Sequence, residues 1–306
     1  MRRDPLKAFT DWFFAPAPAE RLAVVRACVA GFGCFWVTSR LQEIASVATY
    51  PTLHPVGVVK LLHAPLPPAL VMVIAAITSA ALLAMTLGAG YRISGPLAAI
   101  GTLWTLSYRN SFGMVFHTEN LLVLHLLALA FAPAADAWSI DARRARPAAG
   151  EAGHGWALKL MVMLLAGAYL LAGIAKLRIS GAAWLDGEAL RNQIAFDNVR
   201  KAVYGSSVAP FATLLLDHPA IMGAFTWGSM CIELGGPILV VGGRWRAVRW
   251  LWSGAAWSFH VGVVLLMNIW FPYPLSGVAF VPLFEVERPV LWLIARKNEL
   301  RAKLRS

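Results

Sequence analysis

The chain is expected to be an all-α polytopic integral membrane protein, a helical bundle of about eight transmembrane helices. Of its 306 residues, 58% are hydrophobic and only 14% charged. The mean hydropathy is +0.62, beyond what a soluble domain of this size carries. The apolar runs approach the roughly 20 residues that a helix needs to cross a bilayer. They do not alternate in short strand-like segments, which argues against a transmembrane barrel.

In chain order, residues 1–20 hold Arg2, Arg3, Lys7 and a Phe/Trp cluster and read as an interfacial helix on the cytoplasmic face. The transmembrane domain is expected over 21–285. Span 1 covers 22–39, and a loop over 40–67 carries His54 and His63. Span 2 covers 68–89 and a short span 3 covers 95–107, followed by the polar knot Ser107-Tyr108-Arg109-Asn110-Ser111. Span 4, over 112–132, contains His117, Glu119, Asn120 and His125. The loop 136–155 carries Arg143, Arg144 and Arg146, and span 5 follows over 156–175. Residues 176–218 are the longest non-spanning stretch of the middle. Span 6, 219–241, holds Glu233, which is expected near the midplane with His125, as a buried pair or as unrelated structural polars. After Arg244, Arg246 and Arg249 comes span 7, 251–267, with His260. The turn Phe271-Pro272-Tyr273-Pro274 leads to a short span 8 over 275–283, and 286–306 read as a basic amphipathic tail.

The formal charge of +11 could suggest nucleic acid, but the basic residues sit at span ends. They act there as topology signals, and the expected partner is the lipid bilayer. Eight spans put both termini on one side together with the arginine clusters, which makes that side cytoplasmic, in a bacterial inner membrane. Lys176, Arg178, Arg191, Arg200 and Lys201 then face outside, against the rule. Cys28, Cys34 and Cys231 lie in apolar runs without metal-ligand spacing, so no metal is expected. The N-terminus shows no cleavable signal pattern, so the first span is expected to serve as its own insertion signal.

Lys176 ends the apolar run of span 5. An ordinary reading has its ammonium snorkelling to the headgroups. A sharper one has desolvation favouring the neutral amine, which is a base. The expected topology brings His117, Lys176 and His260 to the same outer layer from three helices, with Arg109, Asn110, Glu119, Asn120 and Trp184 nearby. Intramembrane ionisable groups usually face the bundle interior. The three are therefore expected to line one cavity.

At these residues the chain resembles the vitamin K-dependent gamma-glutamyl carboxylases and the wider HTTM (horizontally transferred transmembrane) family related to them. Ser107-Tyr108-Arg109-Asn110-Ser111, continuing through His117-Thr118-Glu119-Asn120 to Trp138-Ser139-Ile140-Asp141, is similar to the family's Trp-Asn-Asn-His and Trp-Ser-Val-Asp segments. Ala172-Gly173-Ile174-Ala175-Lys176-Leu177 with Trp184-Leu185-Asp186-Gly187 is similar to its Ala-Gly-Val-Lys-Lys-Leu…Trp-Val-Glu-Gly motif. Ser258-Phe259-His260 with Phe271-Pro272-Tyr273 matches its His…Phe-Pro-Tyr spacing.

The resemblance implies that Lys176, as neutral amine, deprotonates reduced vitamin K or a menaquinone-type quinol. Oxygen-dependent epoxidation and glutamate carboxylation then follow, with His260 and His117 beside the lysine. A dry site protects so strong a base. The first of the family's paired lysines is Ala175 here, and either His117 or Asn120 takes the place of the carboxylase histidine. With only 286–306 after the last span, the carboxylase's large lumenal substrate domain is expected to be absent. An alternative implied by the same resemblance is a non-catalytic factor for maturation, export or immunity of a secreted peptide, like the membrane protein that matures sporulation-delaying protein. A lipid- or quinone-binding scaffold is a third reading.

Overall fold

The computed structural model describes residues 4–113, 115–144, 152–242 and 245–303. Arg2, Arg3, Arg146 and Arg244, named above as topology signals, lie outside the described residues. Every regular element among the described residues is helical, and five helices are long and apolar enough to cross a membrane. The protein is an integral membrane protein.

The chain divides into two compact units, Met1–Met161 with Val281–Ser306, and Val162–Phe280. In the first, α1 (Pro5–Phe13) precedes α2 (Ala19–Thr38), the short α3 (Leu41–Ser46), α4 (Pro68–Leu87), α5 (Tyr91–Arg109) and α6 (Asn120–Ala130). Helix α2 packs on α4 and α6, and α5 packs between α4 and α6. Small side chains permit the close approach, as membrane helices require: Gly33 meets Leu82, and Gly101 meets Thr78.

Trp138-Ser139-Ile140-Asp141 is a structural clasp. The buried Arg26 guanidinium donates to the carbonyls of Ala134 at 2.6 Å and Trp138 at 2.9 Å. Asp141 accepts from the N–H groups of Gly90 and Tyr91 at 2.9 and 2.8 Å, satisfying the open N-terminus of α5. The Tyr91 N–H, reinforced by that of Gly90, outweighs the effect of burial and holds the Asp141 carboxyl below the ordinary carboxylate range.

Two expected spans need correction. Span 4 is only the 11-residue α6, about 16 Å of helix at 1.5 Å per residue, roughly half the hydrocarbon thickness. The chain before it is tied into a turn: Asn110 Nδ2 donates to the Phe116 carbonyl, and its Oδ1 accepts from the Phe116 N–H. Span 8 is absent from the described residues. Its place is taken by the one-turn helix Pro272–Leu275 and a 3₁₀ turn, Val278–Leu283, with Pro282 inside it. Span 3 forms as the 19-residue α5, but it is not among the helices apolar enough to cross.

Helix α7 (Ala152–Ser180) starts in the first unit and ends in the second. It runs a full turn past Ala175, so Lys176 lies inside the helix and not at its end. The second unit continues with α8 (Ala182–Leu185), α9 (Glu188–Val203), α10 (Ala212–Leu215), α11 (Pro219–Met230), α12 (Gly236–Gly242), α13 (Arg246–Met267) and α14 (Pro272–Leu275). A small core of Ile194, Ala209, Ala212 and Met222 holds α9, α10 and α11 together.

Three cations of α9, Arg191, Arg200 and Lys201, find structural partners. Lys201 donates to the Asp197 carboxylate at 2.6 Å and to the carbonyls of Met267 and Asn268 at the end of α13. Arg191 donates to the Leu216 carbonyl at 2.7 Å, and Arg200 pairs with Asp197. Cations at helix C-termini satisfy the last carbonyls and complement the dipole.

Replacing Asp141 by Ala should lower stability by about 1 kcal/mol, the usual cost of losing a helix N-terminal acceptor, read by thermal unfolding in detergent. Because its folded-state pKa is depressed, the ionised carboxylate's contribution is fully present above about pH 3.9 and is lost as pH falls through the lower folded value. Asp141→Asn should lack that acid-dependent component. Equal acid sensitivity in this variant would refute the assignment.

Candidate functional site

The second unit gathers a polar cluster on one face of α7. Tyr169, Gly173 and Lys176 stand four and seven residues apart, so all three point the same way. Lys176 Nζ donates to Glu233 Oε1 at 2.5 Å. The Glu233 side chain is 2% exposed and that of Lys176 22%. Glu233 sits in a π-helical turn, Cys231–Gly235, where the Gly236 N–H bonds back to the Cys231 carbonyl. The sequence explains this turn. Pro237 has no N–H to give to the Glu233 carbonyl four residues earlier, and a π turn is one way a helix absorbs that missing bond. Gly173 lets α7 meet the turn closely: a Cβ there would come within 3.0 Å of Glu233 Cβ and 2.7 Å of Leu234.

Aromatic rings close around the ammonium. Lys176 Nζ lies 4.9 Å from the Trp184 ring and 5.1 Å from the Phe259 ring, both within cation–π range. Trp184 is held by the neighbouring turn. Asp186 Oδ1 accepts from the Glu188 N–H at the start of α9. Gly187, at φ +90°, packs so tightly on Met222 and Gly223 that a Cβ would fall 2.6 Å from the Gly223 nitrogen. The Trp-Leu-Asp-Gly motif therefore positions one indole over one lysine.

His260 follows Phe259 on α13. Its Nε2 is hydrogen-bonded to the Tyr169 hydroxyl at 2.8 Å, and the Phe271 ring lies 4.9 Å from its own. That contact gives the His…Phe-Pro-Tyr spacing a physical meaning. Tyr169 also packs edge-on against Trp252, whose Nε1 donates to the Ile232 carbonyl in the π turn at 2.9 Å.

Among the described residues, three polar atoms of this cluster are buried without a hydrogen-bond partner: Glu233 Oε2, His260 Nδ1 and Trp184 Nε1. A buried polar group without a hydrogen bond costs roughly 1–3 kcal/mol. Together they offer a carboxylate acceptor, an indole donor and an imidazole nitrogen. That set fits a ligand bearing hydroxyl or carbonyl oxygens.

The other expected site residues belong to the first unit, where they bond among themselves. Arg109 Nη1 reaches Glu119 Oε1 at 3.0 Å and its Nε reaches Glu43 at 3.2 Å. Glu119 Oε2 accepts from the Thr118 hydroxyl at 2.6 Å, and Asn110 ties down Phe116. His117 and Asn120 are exposed there. His125 bonds the Met161 carbonyl, so the partner of Glu233 is Lys176 and not His125.

Sequence reasoning reached Lys176, Trp184 and His260 but set Glu233 beside His125, as a pair or as unrelated polars, instead of with Lys176, and passed over Tyr169. The i, i+7 spacing of Tyr169 and Lys176 was the available signal for the second.

The HTTM domain family model matches residues 14–287. The chain belongs to the HTTM domain family. No curated protein and no solved structure matches it. All three motifs quoted above for the resemblance lie inside the matched HTTM domain, and the lysine, indole and imidazole described here come from two of them.

Removing one partner of a buried ion pair leaves an uncompensated charge. Lys176→Met should therefore destabilise the HTTM domain by about 3 kcal/mol, and adding Glu233→Leu should recover most of the loss. Unfolding in detergent tests the cycle. Additive losses in the double variant would show that the two side chains are not coupled.

Proposed function

We propose that this HTTM protein deprotonates a reduced quinone at the Lys176–Glu233 pair, feeding the oxygen-dependent epoxidation and carboxylation chemistry that its resemblance to the vitamin K-dependent carboxylases implies. One observation carries this reading. An intramembrane lysine head is enclosed by a carboxylate and two aromatic rings, with three unpartnered polar atoms in the same cluster. Ionisable groups inside a membrane domain are costly and mark functional pathways.

The residues fit an aromatic diol. Trp184 and Phe259 offer ring surfaces, while Glu233, His260 and Trp184 offer hydrogen bonds. When bound, the reduced quinone would supply the electrons for reaction with oxygen. The protein's own groups orient it, take its proton and keep water away, which matters because water quenches a strong base. Tyr169 fixes the imidazole orientation through Nε2, leaving Nδ1 for the ligand.

Arginine-rich loops at 143–146 and 244–249 support an orientation with those loops cytoplasmic. Lys176, in the C-terminal part of α7, would then lie towards the extracytoplasmic side of a bacterial inner membrane.

Purified protein in lipid nanodiscs, given reduced vitamin K and oxygen, should form the epoxide. Lys176→Ala, normalised to folded protein, should form at least about 100-fold less, the usual contribution of a positioned proton-transfer group. Absence of epoxide from the unaltered protein would overturn the reading.

A further inference from the structure

Helix α9 turns its charges inward and its large apolar side chains outward. Ile194, Asp197 and Lys201 share one side of it, three and seven residues apart. Phe196, Val199 and Val203 share the opposite side at the same spacing. The side chains of Asp197 and Lys201 are 11% and 13% exposed, whereas Phe196, Val199 and Val203 are 71%, 63% and 76% exposed among the described residues. A surface helix in water shows the reverse, with apolar groups to the core and charges outside. Tyr204, Phe211 and Leu214, in the chain that follows, are exposed as well. Clustered large apolar groups of this kind mark a surface covered by something other than water.

Hydrogen bonds fix the depth of this segment. Helix α13 is one of the five able to cross a membrane, and α9 and the chain after it take its last carbonyls. Asn198 Nδ2 donates to the Leu266 carbonyl at 2.9 Å, and Lys201 Nζ to those of Met267 and Asn268. The Phe211 N–H donates to the Leu265 carbonyl at 3.2 Å. The end of a spanning helix lies where acyl chains give way to headgroups, so α9 is held at that level. It does not continue across. Its 16 residues make about 24 Å of helix, short of the roughly 30 Å hydrocarbon core, and it is not among the helices apolar enough to cross.

We infer that α9 lies along the membrane surface, with Phe196, Val199 and Val203 sunk among the acyl chains of the leaflet at that end of α13. The occupant of the exposed face is lipid. Charges are costly on a lipid-facing side, and those of Asp197 and Lys201 are instead turned to each other and to the α13 carbonyls. The first turn is different. Glu188, Arg191 and Asn192 are exposed there, which sets it among the headgroups, so α9 dips from Gly187 towards Val203. Helices embedded in this way bury their apolar face by about 5–10 Å. The stretch 176–218 is thereby part of the membrane domain and not an aqueous loop. The inference does not depend on which ligand occupies the Lys176 cluster.

Spin labelling in nanodiscs of phosphatidylcholine and phosphatidylglycerol tests it. Cys28, Cys34 and Cys231 are first replaced by Ala, and Asn192→Cys, Val199→Cys and Val203→Cys are then introduced singly. Each labelled variant is confirmed as folded by thermal unfolding. Collisions with oxygen, which concentrates among acyl chains, should predominate at 199 and 203, and collisions with a water-soluble nickel complex at 192. Predominance of nickel at 199 and 203 would show a water-facing helix and overturn the inference. Exclusion of both reagents there would show a protein contact and overturn it equally. The unaltered protein supplies a second reading that needs no cysteine variant. A lipid carrying a diazirine near the glycerol end of one acyl chain should label the peptides that hold Phe196, Val199 and Val203. Labelling of α13 without labelling of those peptides would contradict the assignment.

Discussion

The ion pair between Lys176 and Glu233 is the constraint from which the rest of the second unit follows. Each charge alone would carry a desolvation penalty of several kcal/mol in a membrane interior. Together they hold each other, but only at contact distance. Contact requires α7 to approach the π turn closely, which Gly173 allows. It also requires Glu233 to be turned towards α7, which the missing N–H of Pro237 explains. Trp184 and Phe259 then cover the ammonium, and Trp252 braces the turn through the Ile232 carbonyl.

The first unit uses the same physics. Arg26 is buried in a spanning helix and is tolerated because two carbonyls and the Asp141 clasp surround it. Arg109, Glu119, Glu43 and Asn110 close the opposite end of the unit. In both places the polar side chains are held largely by one another and by backbone carbonyls, and in the Lys176 cluster three buried polar atoms are left over among the described residues. In the second unit, Arg191 and Lys201 of α9 likewise cap the ends of α10 and α13.

Much of this was legible in the sequence. Apolar run length and low charge gave the helical membrane class, and the bounds of α2, α4 and α13 lie near the expected ones. Lys176, Trp184 and His260 stood out because each breaks or flanks an apolar run. What escaped was set by pairing between distant segments. Glu233 lies 57 residues from Lys176, and hydropathy carries no record of such contacts. The short α6 escaped for a related reason: Asn110 holds Phe116 in a turn through side-chain bonds that an apolar window does not register. Around 275–283, Pro282 and a 3₁₀ turn replace the helix that hydropathy alone would extend.

The central claim is that a reduced quinone occupies the cluster around Lys176 and Glu233. Photolabelling with a ring-azido reduced naphthoquinone in nanodiscs, followed by peptide mapping, tests it most directly. The account predicts labelling concentrated on the α7, α8 and α13 segments that carry Tyr169, Trp184 and Phe259, suppressed by excess unlabelled ligand. Labelling spread over the exposed apolar faces of the spanning helices, unaffected by competitor, would contradict it.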